Sequence, residues 1–411
     1  MFVATHGTIT LDLSILKSHI DFRRLWIGDL LSQIGSQVAL VALLLMVYRL
    51  HSSTAEVAGL VFCQTIPAVF FGLYSGAVID RFHKKPLLIG ADIARAIIAA
   101  SIPFTSDLWA IYALAFLSST ASTIFVPAKQ SVIPELVEAE RRVSANALSS
   151  LTFAVMLLVG PALGGALVGF WSVKAAFFFN SLTFLWSAAF VSRIHLTHEP
   201  RGERSSVRAL TKDVGVGIRY ILSHEIIAYI FVLLFIGNFS LGFWFPVLPS
   251  FNHDFLHGDS VTFGLISSSF GFGSLLGAPI APRLAKRFTK GSLFYSTIVI
   301  DAFCFIAISF SPSIAFALSI SVIWGFAVVV LVVVYESMMQ SVVDANFRGR
   351  VFSMGSIQFN GGMLLAQLVA IGIAGIVRPE AIFLYAGCLY LFVVIIAATR
   401  RERFKTLIKT A

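Results

Sequence analysis

The chain is 411 residues long, 57% hydrophobic and only 12% charged, with a mean hydropathy of +0.88. Soluble domains carry about 25% charged residues, so this composition excludes an ordinary water-soluble enzyme or binding module and points to a protein that faces lipid. The formal net charge of +9 sits in alternate loops rather than along one surface, which argues against a nucleic-acid partner.

Residues 1–22 carry Asp12, Lys17, His19 and Asp21 and read as an amphipathic cytoplasmic lead-in, not a cleavable leader. Twelve apolar runs follow, near 23–49, 56–79, 86–104, 108–127, 146–171 and 174–193, then 226–250, 262–285, 291–310, 313–337, 350–377 and 380–399. Runs of about 20 apolar residues are long enough to cross a bilayer as helices. Lipid offers no hydrogen-bond partner to bare backbone, and barrel strands would be shorter and alternate in polarity. The expected fold class is therefore all-α integral membrane, with twelve transmembrane helices. The polar stretch 195–225 reads as a cytoplasmic linker between a first six-helix half, 23–194, and a second, 226–399, with a basic cytoplasmic tail at 400–411.

Lysine and arginine are one-sided. Outside span three, which holds Arg95, only Arg49, Lys174 and Arg378 fall on one set of loops, and every other base falls on the alternate set. The positive-inside rule then puts both termini in the cytoplasm, with anionic lipid headgroups as partners of the basic loops. Cys63, Cys304 and Cys388 lie in separate spans and read as packing residues, not as a disulfide framework. The histidines sit in loops or at span ends. No metal and no other cofactor is expected, and without a Gly-x-x-x-x-Gly-Lys-Ser/Thr loop neither is ATP hydrolysis.

Polar groups inside the spans carry the chemistry. In span one, Asp29, Ser32, Gln33, Ser36 and Gln37 follow the i, i+3, i+4, i+7, i+8 pattern and share one helix face. Ser353, Ser356, Asn360 and Gln367, at i, i+3, i+7 and i+14, also share one narrow face in span eleven. A polar stripe in a membrane helix faces protein or water, so both stripes are cavity-lining candidates. They could equally serve hydrogen bonding between helices. Asp92 and Arg95, three residues apart, suggest an intramembrane ion pair. Asp29 and Glu336 have no such neighbour and are the candidates for proton exchange, while Asp301 in span nine receives no role. Trp26, Phe125, Trp186, Phe243, Trp244 and Trp324 could line an apolar cavity or simply meet lipid and neighbouring helices.

Short strings suggest duplication. Gln130-Ser131-Val132 recurs as Gln340-Ser341-Val342, an offset of 210, and Arg142-Val143 recurs as Arg350-Val351, an offset of 208. Between spans two and three, Gly76, Asp80, Arg81, Lys84 and Lys85 resemble the loop signature of the major facilitator superfamily, with His83 where that pattern has glycine. A second-half counterpart is read at Gly277 to Arg287, with Ala281 in place of the acid. Gly160-Pro161-Ala162-Leu163-Gly164-Gly165 resembles the antiporter signature of the same superfamily. Asp92 to Ala96 and Arg348 to Ser353 are similar to its macrolide-efflux and enterobactin-exporter branch, although span four lacks the arginine found there in many proton-coupled drug exporters.

That resemblance implies two pseudo-repeated six-helix halves and a single-chain, monomeric secondary transporter of the bacterial cytoplasmic membrane. It implies export of amphipathic small molecules, such as drugs or a siderophore, in exchange for protons. It also implies a gate at Gly76 to Lys85, where Asp80 would accept from the backbone N–H groups that open span eleven. A lysolipid or lipid flippase and an uptake permease of the same fold are the alternatives.

Overall fold

A computed structural model describes residues 14–71, 82–196 and 207–399, without the side chains of 207–213. Gly76, Asp80 and Arg81 of the loop signature lie outside the described residues, as does the basic tail. Among the described residues the chain is helical with no strand. Eleven helices are long and apolar enough to cross a membrane. With the apolar helix Thr54–Phe70 they supply the twelve spans.

These are α1 (Ile20–His51), α2 (Thr54–Phe70), α3 (Lys84–Ser101), α4 (Leu108–Leu136), α5 (Arg142–Phe170) and α6 (Val173–Ser192). They continue as α7 (Glu225–Phe255), α8 (Ser260–Arg287), α9 (Lys290–Ser309), α10 (Ile314–Val342), α11 (Arg348–Ile373) and α12 (Pro379–Thr399). Side-chain caps fix several starts. Asp107, Ser172, Asp259, Thr289 and Ser313 each accept from a backbone N–H in the first turn of α4, α6, α8, α9 and α10, satisfying a group that lipid could not.

Several boundaries shift by a few residues, and two departures from the sequence expectation change its reading. The span expected to end at Pro127 runs to Leu136 with Pro127 and Pro134 inside it. A proline removes one helical hydrogen bond, and a 29-residue helix retains the rest. Lys129 is therefore a helix residue and not a loop base. The stretch read as a linker also holds a helix, Val207–Ser223. Its buried Tyr220 stacks on Phe347 at 4.2 Å and bonds the Asp344 carboxylate at 3.1 Å, docking it on the α10–α11 turn.

The chain forms two compact units, Met1–Met46 with Ile66–Ser206, and Val47–Thr65 with Val207–Ala411. In the first, Leu25, Leu88, Phe125, Val132 and Leu148 belong to one buried cluster. In the second, Ile230, Phe294, Val330, Met338 and Tyr390 belong to another. Backbones approach most closely where side chains vanish. Gly273 of α8 faces the Val322 carbonyl of α10, and Gly325 of α10 faces the Phe270 carbonyl of α8, the small-residue contact by which membrane helices pack.

The internal repeat has one register. Helices α3 to α6 start at Lys84, Leu108, Arg142 and Val173, and α9 to α12 start at Lys290, Ile314, Arg348 and Pro379, each pair 206 residues apart. The chemistry follows. Arg142 caps the end of α4 through the Val137 and Pro134 carbonyls, and Arg348 caps the end of α10 through those of Val343 and Gln340. This register replaces the string offsets of 210 and 208, which came from chance likeness of short strings. It also pairs Arg81-Phe82 with Arg287-Phe288, so the position equivalent to Asp80 is Lys286 and not Ala281.

Candidate functional site

In the first unit, a polar cluster forms around Asp29 of α1. The carboxylate, on a buried side chain, accepts 2.8 Å bonds at both oxygens from the Lys129 ammonium of α4. Gln33, one turn along α1, donates to it at 2.6 Å. The absence of a partner inferred for Asp29 from sequence is thus corrected: the longer α4 brings Lys129 inside the bundle. Ser32 and Ser36 return their hydroxyls to α1 carbonyls. Gln37 lies where a side chain on Gly160 would have to be.

Beside this cluster, Arg95 of α3 donates to Asp92 on its own helix. The guanidinium lies between the rings of Phe125 and Phe184, 4.1 and 4.4 Å from their centroids. Both ions are buried, and the aromatic faces compensate part of the lost hydration. Ser187, also buried, lies next to Asp92 without a regular hydrogen bond to it.

The described part of the loop signature is structural in its contacts. Lys84 donates to the Ser131 carbonyl at 3.1 Å and pairs with Glu135 at 2.5 Å, tying α3 to α4. Lys85 donates to the Ile194 carbonyl at 2.8 Å, beyond the end of α6. In the second signature, Gly160, Pro161, Gly164 and Gly165 are all buried in α5. Gly160 and Gly164 leave room for Gln37, Val38 and Val41 of α1.

The second unit contains a cavity of about 370 Å³ lined by α7, α9, α10, α11 and α12. Two carboxylates reach it, Asp301 and Glu336, with Asn238, Ser356 and Gln358 as neutral polar groups among aliphatic and aromatic walls. Asp301, 6% exposed, accepts a 2.6 Å bond from the Trp324 indole N–H. Trp324 is held edge-on by Trp244, Phe270 and Phe305, with centroids 4.6 to 4.9 Å away. Glu336 is half-buried beside Tyr335, and no ion pair or hydrogen bond of its side chain is seen among the described residues. Of the α11 stripe only Ser356 reaches the cavity. Ser353 bonds the Gly349 carbonyl and Asn360 that of Ser356, while buried Gln367 donates to Thr65 at 3.2 Å.

Sequence reasoning left Asp301 without a role and put Lys129 in a loop. The 206-residue register was the available signal for Asp301, since it makes Asp301 the counterpart of Arg95 and Tyr390 the counterpart of Phe184. No group of three His, Cys, Asp or Glu side chains is placed to hold a metal among the described residues.

Residues 12–406 match the family model described as transmembrane secretion effector. The chain is 20% identical to macrolide efflux protein A of Streptococcus pyogenes, over 93% of this chain and 96% of that protein. It is 25% identical to the multi-drug resistance efflux pump PmrA of Streptococcus pneumoniae, over 68% of this chain and 71% of that one. A crystal structure of the nucleoside transporter NupG shares the fold with a TM-score of 0.74, covering 95% of this chain and 100% of that chain at 14% identity.

Proposed function

We propose, since the chain belongs to the transmembrane secretion effector family of the major facilitator superfamily, that it exports amphipathic small molecules from the bacterial cytoplasm in exchange for protons. It is a multi-pass membrane transporter and not an enzyme, as its efflux relatives are. The observation that carries the export reading is the family match across nearly the whole chain, joined to relatives named for macrolide and multidrug efflux. The cavity of the second unit agrees with it, being an apolar space with a few isolated polar groups.

In this reading the transporter works as a monomer by alternating access, with both termini in the cytoplasm and its basic loops on anionic lipid. Asp29 and Glu336 are the proton-exchange groups. A proton on Asp29 would remove half of its pair with Lys129, and an ammonium left alone in a membrane interior favours rearrangement. Gly76, Asp80, Arg81, Lys84 and Lys85 form the gate, and Gly160 to Gly165 form the close α1–α5 contact on which α5 bends.

Accumulation of a fluorescent amphiphile in a pump-deficient bacterial host tests this. Expression should lower accumulation, and a protonophore should restore it. Raised accumulation would establish uptake instead, and efflux that persists without the proton gradient would overturn proton exchange. Transbilayer movement of a labelled lysolipid in reconstituted vesicles, with no movement of the amphiphile, would identify a flippase.

A further inference from the structure

We propose that the cavity of the second unit recognises organic cations bearing apolar or aromatic groups, with Asp301 as the counter-charge; this rests on the export reading and names its substrate class. At about 370 Å³ the space lies within the range of about 300–1,000 Å³ typical of sites for drug-sized ligands. Among the described residues its lining includes Asp301 and Glu336 but no lysine, arginine or histidine.

The environment of Asp301 is unbalanced. The carboxylate is buried, and the hydrogen bond the structure gives it comes from a neutral donor, Trp324. One neutral donor does not compensate an ionised carboxylate for lost water, whereas a bound cation does. The first unit shows the contrast at the equivalent position. Arg95 has Asp92 on its own helix, but the counterpart of Asp92 is Ile298, so no built-in partner faces Asp301 from that position.

Tyr390 is an independent observation. Its side chain is wholly buried, its hydroxyl has no hydrogen-bond partner among the described residues, and it lines the same cavity against Gly237. Buried hydroxyls are rarely left unpaired, and a polar ligand in the cavity gives this one a partner. The walls supply the remaining affinity. Trp324, Tyr335, Phe352 and Phe359 line the same cavity as the carboxylates, and aromatic rings attract both the apolar groups and the charge of an organic cation.

The test uses two ions of nearly the same shape and opposite charge, tetraphenylphosphonium and tetraphenylborate, binding to the purified full-length protein in detergent. The phosphonium should bind saturably and the borate at least about tenfold more weakly. Asp301→Asn should weaken phosphonium binding at least about tenfold without weakening borate binding, and Glu336→Gln should give a smaller loss. Equal affinity for the two ions, or a preference for the borate, overturns the proposal without any variant. So does undiminished phosphonium binding by an Asp301→Asn protein that melts like the wild type. If Asp301→Asn does not fold, the wild-type charge preference and Glu336→Gln decide. Reconstituted vesicles separate the two readings: phosphonium bound through Asp301 but never moved refutes export and supports the cation site. Movement that does not depend on Asp301 keeps export and overturns the site.

Discussion

Lys129 shows how one residue changes the meaning of another. Seen from its neighbours in sequence, Asp29 is a lone acid, and its partner lies 100 residues away. The pair is mostly withdrawn from solvent, at 13% and 6% exposed, so removing one member leaves an uncompensated charge, which costs about 3–5 kcal/mol. Lys129→Met and Asp29→Asn should each lower the melting temperature in detergent clearly, and the double variant should recover part of the loss. An unchanged melting temperature in both single variants would refute the pair. At the mouth of α8, Asp259 accepts from the Thr262 backbone N–H at 2.8 Å and from the Thr262 hydroxyl at 2.9 Å, and these bonds hold its carboxyl below the usual carboxylate value. A depressed pKa means that the cap contributes fully above the unfolded value, about 3.9, and is lost as pH falls through the folded one. Asp259→Ala should therefore cost about 1 kcal/mol at neutral pH and progressively less below about pH 4, read from melting curves across pH.

At the scale of elements, the sequence displayed the spans because lipid imposes length and apolarity on each one separately. It did not display which helix faces which. The α8–α10 contact depends on Gly273 and Gly325 meeting the partner's carbonyls, and glycines in a span look alike whether they touch a neighbour or lipid. Adding a methyl group there forces the helices apart, so Gly273→Ala or Gly325→Ala should cost about 1–3 kcal/mol. Gly349→Ala is the control, since nothing lies within 4 Å of the added carbon, and its melting temperature should not fall. The extension of α4 past Pro127 was hidden for a different reason. A proline with a lysine two residues on reads as the end of a span, and only the opposing carboxylate on α1 makes that lysine an interior residue.

At the scale of the whole molecule, the expected sidedness rests on composition, loop by loop. Single-cysteine variants on a background lacking Cys63, Cys304 and Cys388 should show it. A cysteine at Lys174 or Arg378 should react with a membrane-impermeant maleimide on intact cells, and one at Thr289 only after lysis. The reverse pattern would invert the topology. The duplication was less legible, because matching strings sat out of register and the true 206-residue spacing is carried by helix starts and by the twin caps Arg142 and Arg348. In that register the buried position held by Arg95 in one half is Asp301 in the other, a reversal of sign within a preserved architecture. The halves are therefore not spare copies of one another. A chain assembled from two first halves would keep its helices and caps and have a self-neutralised ion pair in both, while the unbalanced carboxylate, and any selectivity that follows from it, would vanish.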